Sequence, residues 1–166
     1  MQTQDSPMIF IVEDNSIYNK LIASHLRSNN FKRIESFLSG EECLKNLHKN
    51  PDIVIQDYLL NGINGLEVLK ETKKKNPKTE FIFISAQESI DVAIDTIRHG
   101  ASDYVVKNQF AFKKLIDKIH DLRKTQKIKH QNNYFKMSLL LFIIVLASLI
   151  LVVVSIAIIS PETFSH

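Results

Sequence analysis

Met8-Ile9-Phe10-Ile11-Val12-Glu13-Asp14 carries the first clear sign of the architecture. Five consecutive apolar residues read as a strand buried on both faces, because a half-exposed strand would alternate apolar and polar side chains. Two carboxylates follow at its carboxyl end. Residues 16–28 come next, with Ile17, Leu21, Ile22 and Leu26 at helical spacing. Residues 31–37 read as a second strand, and a helix opens at Ser39 or Gly40 and passes through Leu44 and Leu47. Pro51 breaks it. Asp52-Ile53-Val54-Ile55-Gln56-Asp57 is the third strand, and Asn61-Gly62-Ile63-Asn64-Gly65 is a turn-rich loop.

The same alternation runs on. Residues 66–75 read as a helix ended by Asn76-Pro77, residues 81–85 as a strand, and residues 90–99 as a helix stopped by Gly100. Residues 104–106 form a fifth strand. A last helix starts near Ala111, with Phe112, Leu115, Ile116, Ile119 and Leu122 on one face. Five strand-helix units imply an α/β fold, a parallel sheet with helices on both faces. Ligands of such sheets sit at the carboxyl ends of the strands, beside a topological switch point.

Charge is unevenly spread over the 166 residues. Residues 1–109 hold 13 basic and 15 acidic side chains, residues 110–136 hold 8 and 2, and the rest hold only Glu162. The net charge of +3 therefore belongs to the middle stretch. That stretch carries Lys113, Lys114, Lys118, Arg123, Lys124, Lys127, Lys129 and Lys136 and leads into an apolar run, residues 137–159, without a charged residue, His, Asn or Gln. About 20 such residues span a bilayer as a helix. The basic flank then suits a lipid surface better than nucleic acid, and places the N-terminal domain in the cytoplasm, with a short C-terminal tail outside. Gln131-Asn132-Asn133 predicts a flexible break before the span, and Tyr134 and Phe135 read as an interfacial belt. Ala147, Ser148 and Ser155 share a face that would suit a homodimer, although small residues scattered in a plain anchor give the same pattern. The single cysteine, Cys43, excludes an internal disulfide and reads as a small packed side chain. No basic, apolar leader opens the chain.

The chemistry-bearing residues fall at strand ends: Glu13 and Asp14 after the first, Asp57 at the third, Ser85 at the fourth, Lys107 at the fifth. If strands one and three are neighbours, three carboxylates meet. Like charges at that range oppose ionisation unless a cation joins them, and Mg²⁺ suits a few carboxylates with water and phosphate oxygens. Lys107 and Ser85 add a positive charge and a hydroxyl for phosphoryl oxygens, and an Asp carboxylate can itself be the nucleophile. Each residue alone has a plainer reading: Glu13-Asp14 as a helix cap, Ser85 as a loop hydroxyl, Lys107 as a solvated lysine. Asp57 is harder to explain that way, since an apolar strand would bury it unpaired.

These strings resemble the receiver domain of two-component response regulators. The resemblance rests on Ile11-Val12-Glu13-Asp14-Asn15, on Asp57-Tyr58-Leu59-Leu60-Asn61-Gly62-Ile63-Asn64-Gly65, on Ile84-Ser85-Ala86, and on Gly100-Ala101-Ser102-Asp103-Tyr104-Val105-Val106-Lys107. It implies a five-stranded flavodoxin-like sheet in the order 2-1-3-4-5. It implies that Asp57 is the phosphoacceptor, that Glu13, Asp14, Asp57 and the Leu59 backbone carbonyl hold Mg²⁺, and that Ser85 and Lys107 bind phosphoryl oxygens. Tyr104 falls at the family's aromatic switch. Leu59 and Gln87 would flank the path of attacking water. Two positions depart from the pattern. Asn61 replaces a proline, which is expected to loosen its loop. Asn108 replaces a proline that commonly forms a cis bond; here the bond is either trans with an altered loop, or cis at a cost of about 3 kcal/mol.

The sequence thus predicts a tail (residues 1–7), a receiver domain (8–125), a basic linker (126–136), a transmembrane helix (137–159) and a short external tail (160–166). The expected function is that of a membrane-tethered, stand-alone receiver. It would take phosphate from a sensor histidine kinase or a histidine phosphotransfer protein and signal through the face beside the fourth and fifth strands. It would assist its own phosphorylation without being a conventional enzyme. The alternatives are a binding module that is never phosphorylated and a docking subunit of a membrane complex.

Overall fold

The computed structural model describes residues 6–159 and all their side chains except those of 126–127, 129–133 and 157–159. The expected external tail and most of the N-terminal tail lie outside the described residues. The chain divides into two compact units, Met1–Leu122 and Arg123–His166.

The first unit holds β1 (Met8–Val12), α1 (Ser16–Ser28), β2 (Arg33–Phe37), α2 (Gly40–Lys45), β3 (Ile53–Asp57), α3 (Gly65–Lys75), β4 (Glu80–Ser85), α4 (Ile90–Arg98), β5 (Asp103–Val106) and the start of α5 (Ala111–Ile159). All strand pairs are parallel, and the order is β2-β1-β3-β4-β5, as expected. The chain reverses its direction of travel across the sheet between β1 and β3, which makes their carboxyl ends the switch point.

Side chains of the central strands alternate between two cores. Ile9, Ile11, Ile53, Ile55, Ile82 and Ile84 pack with Ile22 and Leu26 of α1 and Leu115 and Ile119 of α5. Phe10, Val12, Val54, Phe81 and Phe83 pack with Cys43 and with Val68 and Leu69 of α3. Both faces of β1 and β3 are therefore dry, and a carboxylate at their ends begins inside the protein. The apolar spacing of α1 covers more than its buried stripe: Ile22 and Leu26 are buried, whereas Ile17 is 71 % exposed.

Local chemistry sets the element ends. Asn15, Ser39 and Asn64 cap α1, α2 and α3 with side-chain oxygens, and Asn64 forms a capping box with Glu67. The second helix is shorter than its apolar pattern suggests. It gives way to a 3₁₀ turn at Leu47–Lys49, and Asn50 then takes a left-handed φ of 51°. Pro51 disfavours a helical residue before it, and Asn tolerates that conformation. No cis peptide bond occurs among the described residues, so the Lys107–Asn108 bond is trans. Asn108 accepts the Phe110 N–H at 2.9 Å on Oδ1 and the Ala111 N–H at 2.9 Å on its carbonyl, which fastens the start of α5.

In the second unit the backbone stays helical to Ile159, and the break expected at residues 131–133 does not occur. Asn costs a helix only about 0.5 kcal/mol and Gln is a good helix former, so the stretch is too weak a signal to interrupt a helix that continues on both sides. The stretch Tyr134–Ile156, 23 residues, is long and apolar enough to cross a membrane by length and composition. It starts three residues before the expected span, at the two aromatic residues. Ser148 and Ser155 donate to the carbonyls of Val145 and Leu151 at 2.7 and 2.8 Å, so both hydroxyls are satisfied within the helix.

Cys43 is fully buried, and burial pushes its thiol up to about 12. A raised value in the folded state adds stability that is complete below the unfolded thiol pKa, about 8.5, and fades as pH climbs towards 12. Native protein at pH 8 should leave an aromatic disulfide reagent unreacted for hours and consume one equivalent at once in denaturant; fast native reaction contradicts this packing.

Candidate functional site

The ends of four strands, β1, β3, β4 and β5, and the loops after them form the site. Glu13 extends β1 and is 1 % exposed; Asp57 ends β3 and is 6 % exposed. Asp14, half-buried, starts the loop into α1. One carboxylate oxygen from each of Glu13, Asp14 and Asp57 lies within 4.8 Å of the other two. The convergence expected from the sequence is therefore real, and it follows from the β1–β3 pairing.

Lys107 reaches the same place from the end of β5. Its Nζ donates to Glu13 Oε2 and Asp57 Oδ2, each at 2.7 Å. Burial pushes the Glu13 carboxyl up to about 7 against the pull of the Lys107 hydrogen bond, and the Asp57 charge adds to the rise. Burial opposes the Lys107 charge, but its bonds to Asp57 and Glu13 outweigh that and hold its pKa above the ordinary lysine value. The Ser85 carbonyl accepts the Lys107 N–H at 2.7 Å, so the lysine enters the site on a fixed backbone.

Ser85 is buried, and its Oγ accepts the Gln87 N–H at 3.2 Å. Tyr104 reaches the same loop, its hydroxyl donating to the Gln87 carbonyl at 2.9 Å. Burial raises the Tyr104 pKa, partly offset by its hydrogen bond with Ser85. The Leu59 N–H donates to Asp57 Oδ1 at 3.3 Å, while the Leu59 side chain is 55 % exposed. All residues singled out from the sequence thus meet around one centre.

The loop carrying Leu59 is not loose. Asn61 donates to Asp14 Oδ2 twice, from Nδ2 at 2.7 Å and from its backbone N–H at 3.2 Å. Glu41 accepts the Ile63 N–H at 3.1 Å, and the Gly65 N–H reaches the Tyr58 carbonyl at 3.1 Å. Gly62 has a φ of 95°, and a Cβ there would meet Glu41 Oε1 at 2.6 Å. A Cβ at Gly65 would fall 2.3 Å from the Asp57 carbonyl, so glycine lets α3 start directly under the acidic cluster.

Three contributors escape a reading of the sequence. Tyr18 puts its ring 4.6 Å from Lys107 Nζ, a cation–π contact, and Phe112 stacks on the same ring. Asn19 is buried and donates to the carbonyls of Glu13 and Phe37, pinning the end of β1 to β2. Glu41 holds the Asp57 loop from α2. Tyr18 and Asn19 follow the acidic pair by only one helical turn, which was the available signal; the reach of Glu41 across the fold left none.

The comparisons with known proteins agree with this geometry. The response regulator receiver domain family matches residues 9–120, and the chain belongs to that family. The luminescence regulatory protein LuxO of Vibrio campbellii is 30 % identical over 122 residues, covering 73 % of this chain and 27 % of that protein. The transcriptional regulatory protein MalR of Bacillus subtilis is 35 % identical over 130 residues, covering 75 % and 54 %. The chain thus spans between a quarter and about half of these relatives. Among solved structures, NtrX from Brucella abortus is 28 % identical with a TM-score of 0.68, over 76 % of this chain and 28 % of that one. The receiver domain of the Francisella response regulator 1452 has a TM-score of 0.67 at 24 % identity, over 73 % and 99 %, and shows the fold alone. Receiver domains act in two-component signalling with histidine kinases or phosphotransfer proteins, and bind Mg²⁺ in an acidic pocket.

The donor set here fits that ion. Glu13, Asp14 and Asp57 offer hard oxygen ligands, two of them taken out of water, and need positive charge nearby. The Tyr18 contact should be measurable as well. Tyr18→Leu is expected to destabilise the protein by about 1–3 kcal/mol, with about 0.5–1 kcal/mol of that coupled to Lys107 in a double-mutant cycle with Lys107→Met. Tyr18→Phe should be near neutral. A coupling of zero in thermal unfolding would leave the ring as packing only.

Proposed function

We propose that Asp57 accepts a phosphoryl group from the phosphohistidine of a sensor kinase or phosphotransfer protein. The observation that carries the reading is the 2.7 Å contact of Lys107 Nζ with Asp57 Oδ2, in a pocket shared with Glu13 and Asp14. An Asp57 carboxylate oxygen attacks phosphorus; the P–N bond to the donor imidazole breaks, and the imidazole leaves with that electron pair and picks up a proton. Lys107 and Ser85 bind phosphoryl oxygens as the charge on them shifts. Glu13, Asp14, Asp57 and the Leu59 carbonyl would hold Mg²⁺, and its charge would lessen the repulsion between carboxylate and incoming phosphate. The protein assists this transfer as a phosphoacceptor and does not turn over an outside substrate.

Tyr104 reports the state of the site through Gln87 and Ser85, and a downstream protein reads the surface beside α4 and β5. Asp57→Asn should abolish labelling by a small phosphodonor, and removal of Mg²⁺ should do the same to the wild type. Label that persists in Asp57→Asn would move the acceptor elsewhere. Absence of label in the wild type would favour an interaction module that is not phosphorylated.

The same proposal places the domain on the cytoplasmic face of the membrane, held by the apolar helix Tyr134–Ile156. Its support is the length of that helix and the basic residues that precede it. The full chain should stay in the membrane pellet after alkaline carbonate washing, and protease added from the cytoplasmic side should digest residues 1–122. Release of the chain by carbonate contradicts a spanning helix.

A further inference from the structure

The metal ligands proposed above come from two separate loops. Asp14 lies between β1 and α1; Asp57 and Leu59 lie at the end of β3 and just after it. The register pairs β1 with β3 only up to Val12 and Gln56, so the ladder between these two strands stops before the ligands begin, while Asp57 still pairs with Ile84 of β4. Among the described residues, only the two bonds from Asn61 to Asp14 Oδ2, at 2.7 and 3.2 Å, tie the segment 13–15 to the segment 58–64 by hydrogen bonding. Both bonds land on one oxygen and so restrain the carboxylate's rotation. The Leu59 N–H bond to Asp57 Oδ1 then ties the other ligand to the same loop.

From this we propose that Asn61 is a positioning residue that joins the two loops into a bracket for a divalent cation. The inference rests on the reading of Glu13, Asp14 and Asp57 as cation ligands. Asn61 does not itself touch the ion. Its side chain supplies an N–H₂ donor, and its backbone supplies a second N–H, which a proline at this position would lack. Outer hydrogen bonds of this kind orient ligands, and their loss commonly costs metal affinity by one to two orders of magnitude. The bracket also explains why a polar residue at position 61 does not loosen the loop. The turn is held by what the amide reaches and needs no stiffness of its own.

The test is calorimetric titration of the full chain in detergent micelles with Mg²⁺ alone, without a phosphodonor. Asn61→Ala, which keeps the backbone donor, should weaken Mg²⁺ binding roughly tenfold, and Asn61→Pro, which removes both donors, should weaken it further. In an Asp14→Asn background the Asn61→Ala change should cost less than about twofold, because the group it positions is already lost. That cycle separates positioning from general damage to the loop. Equal Mg²⁺ affinity in wild type and Asn61→Ala overturns the inference and leaves the phosphoacceptor reading standing. An equal loss in both backgrounds also overturns it. A wild type that binds no Mg²⁺ overturns both.

Discussion

One half-buried ammonium group makes this site possible. Glu13 and Asp57 are almost out of water, and two carboxylates so placed would repel each other. Lys107 bridges them at 2.7 Å on each side. The parallel sheet exists, in functional terms, to bring the ends of β1, β3 and β5 to that contact. Core packing supplies the stability and the lysine lets the strand ends carry charge.

The loops around the contact are fastened by side chains more than by backbone. Asn19 reaches two carbonyls, Glu41 holds Ile63, and Tyr18 lies under the lysine. A site built this way keeps one oxygen of each carboxylate within 4.8 Å of the others before any ligand arrives, and less ordering remains when one does. Tyr104 meets the same network at Gln87, so a shift of Ser85 has a direct path to the α4 side of the fold.

The strands and the placing of Glu13, Asp14, Asp57, Ser85 and Lys107 at their ends were legible because they depend on local pattern, whereas the strand order followed only from the family resemblance. A continuous apolar run followed by a carboxylate can end in few places other than a strand mouth. What escaped depends on distance across the fold. Nothing near Glu41 in the chain points to Ile63, and Asn61 looks like a weakened proline until its two bonds to Asp14 are seen. The end of α2 escaped for a local reason: the last turn before Asn50 and Pro51 tightens into a 3₁₀ turn at Leu47–Lys49, so the α-helix stops at Lys45. The helical continuity through residues 131–133 shows the converse, a weak propensity signal overridden by its neighbours.

The central claim is that positive charge holds the acidic cluster together, and thermal unfolding of Lys107→Met with and without millimolar Mg²⁺ tests it most directly. Removing one partner from a buried ionic cluster should cost about 3–5 kcal/mol without the metal, and Mg²⁺ should restore much of that loss. A Lys107→Met protein as stable as the wild type in the absence of divalent ions would contradict the account.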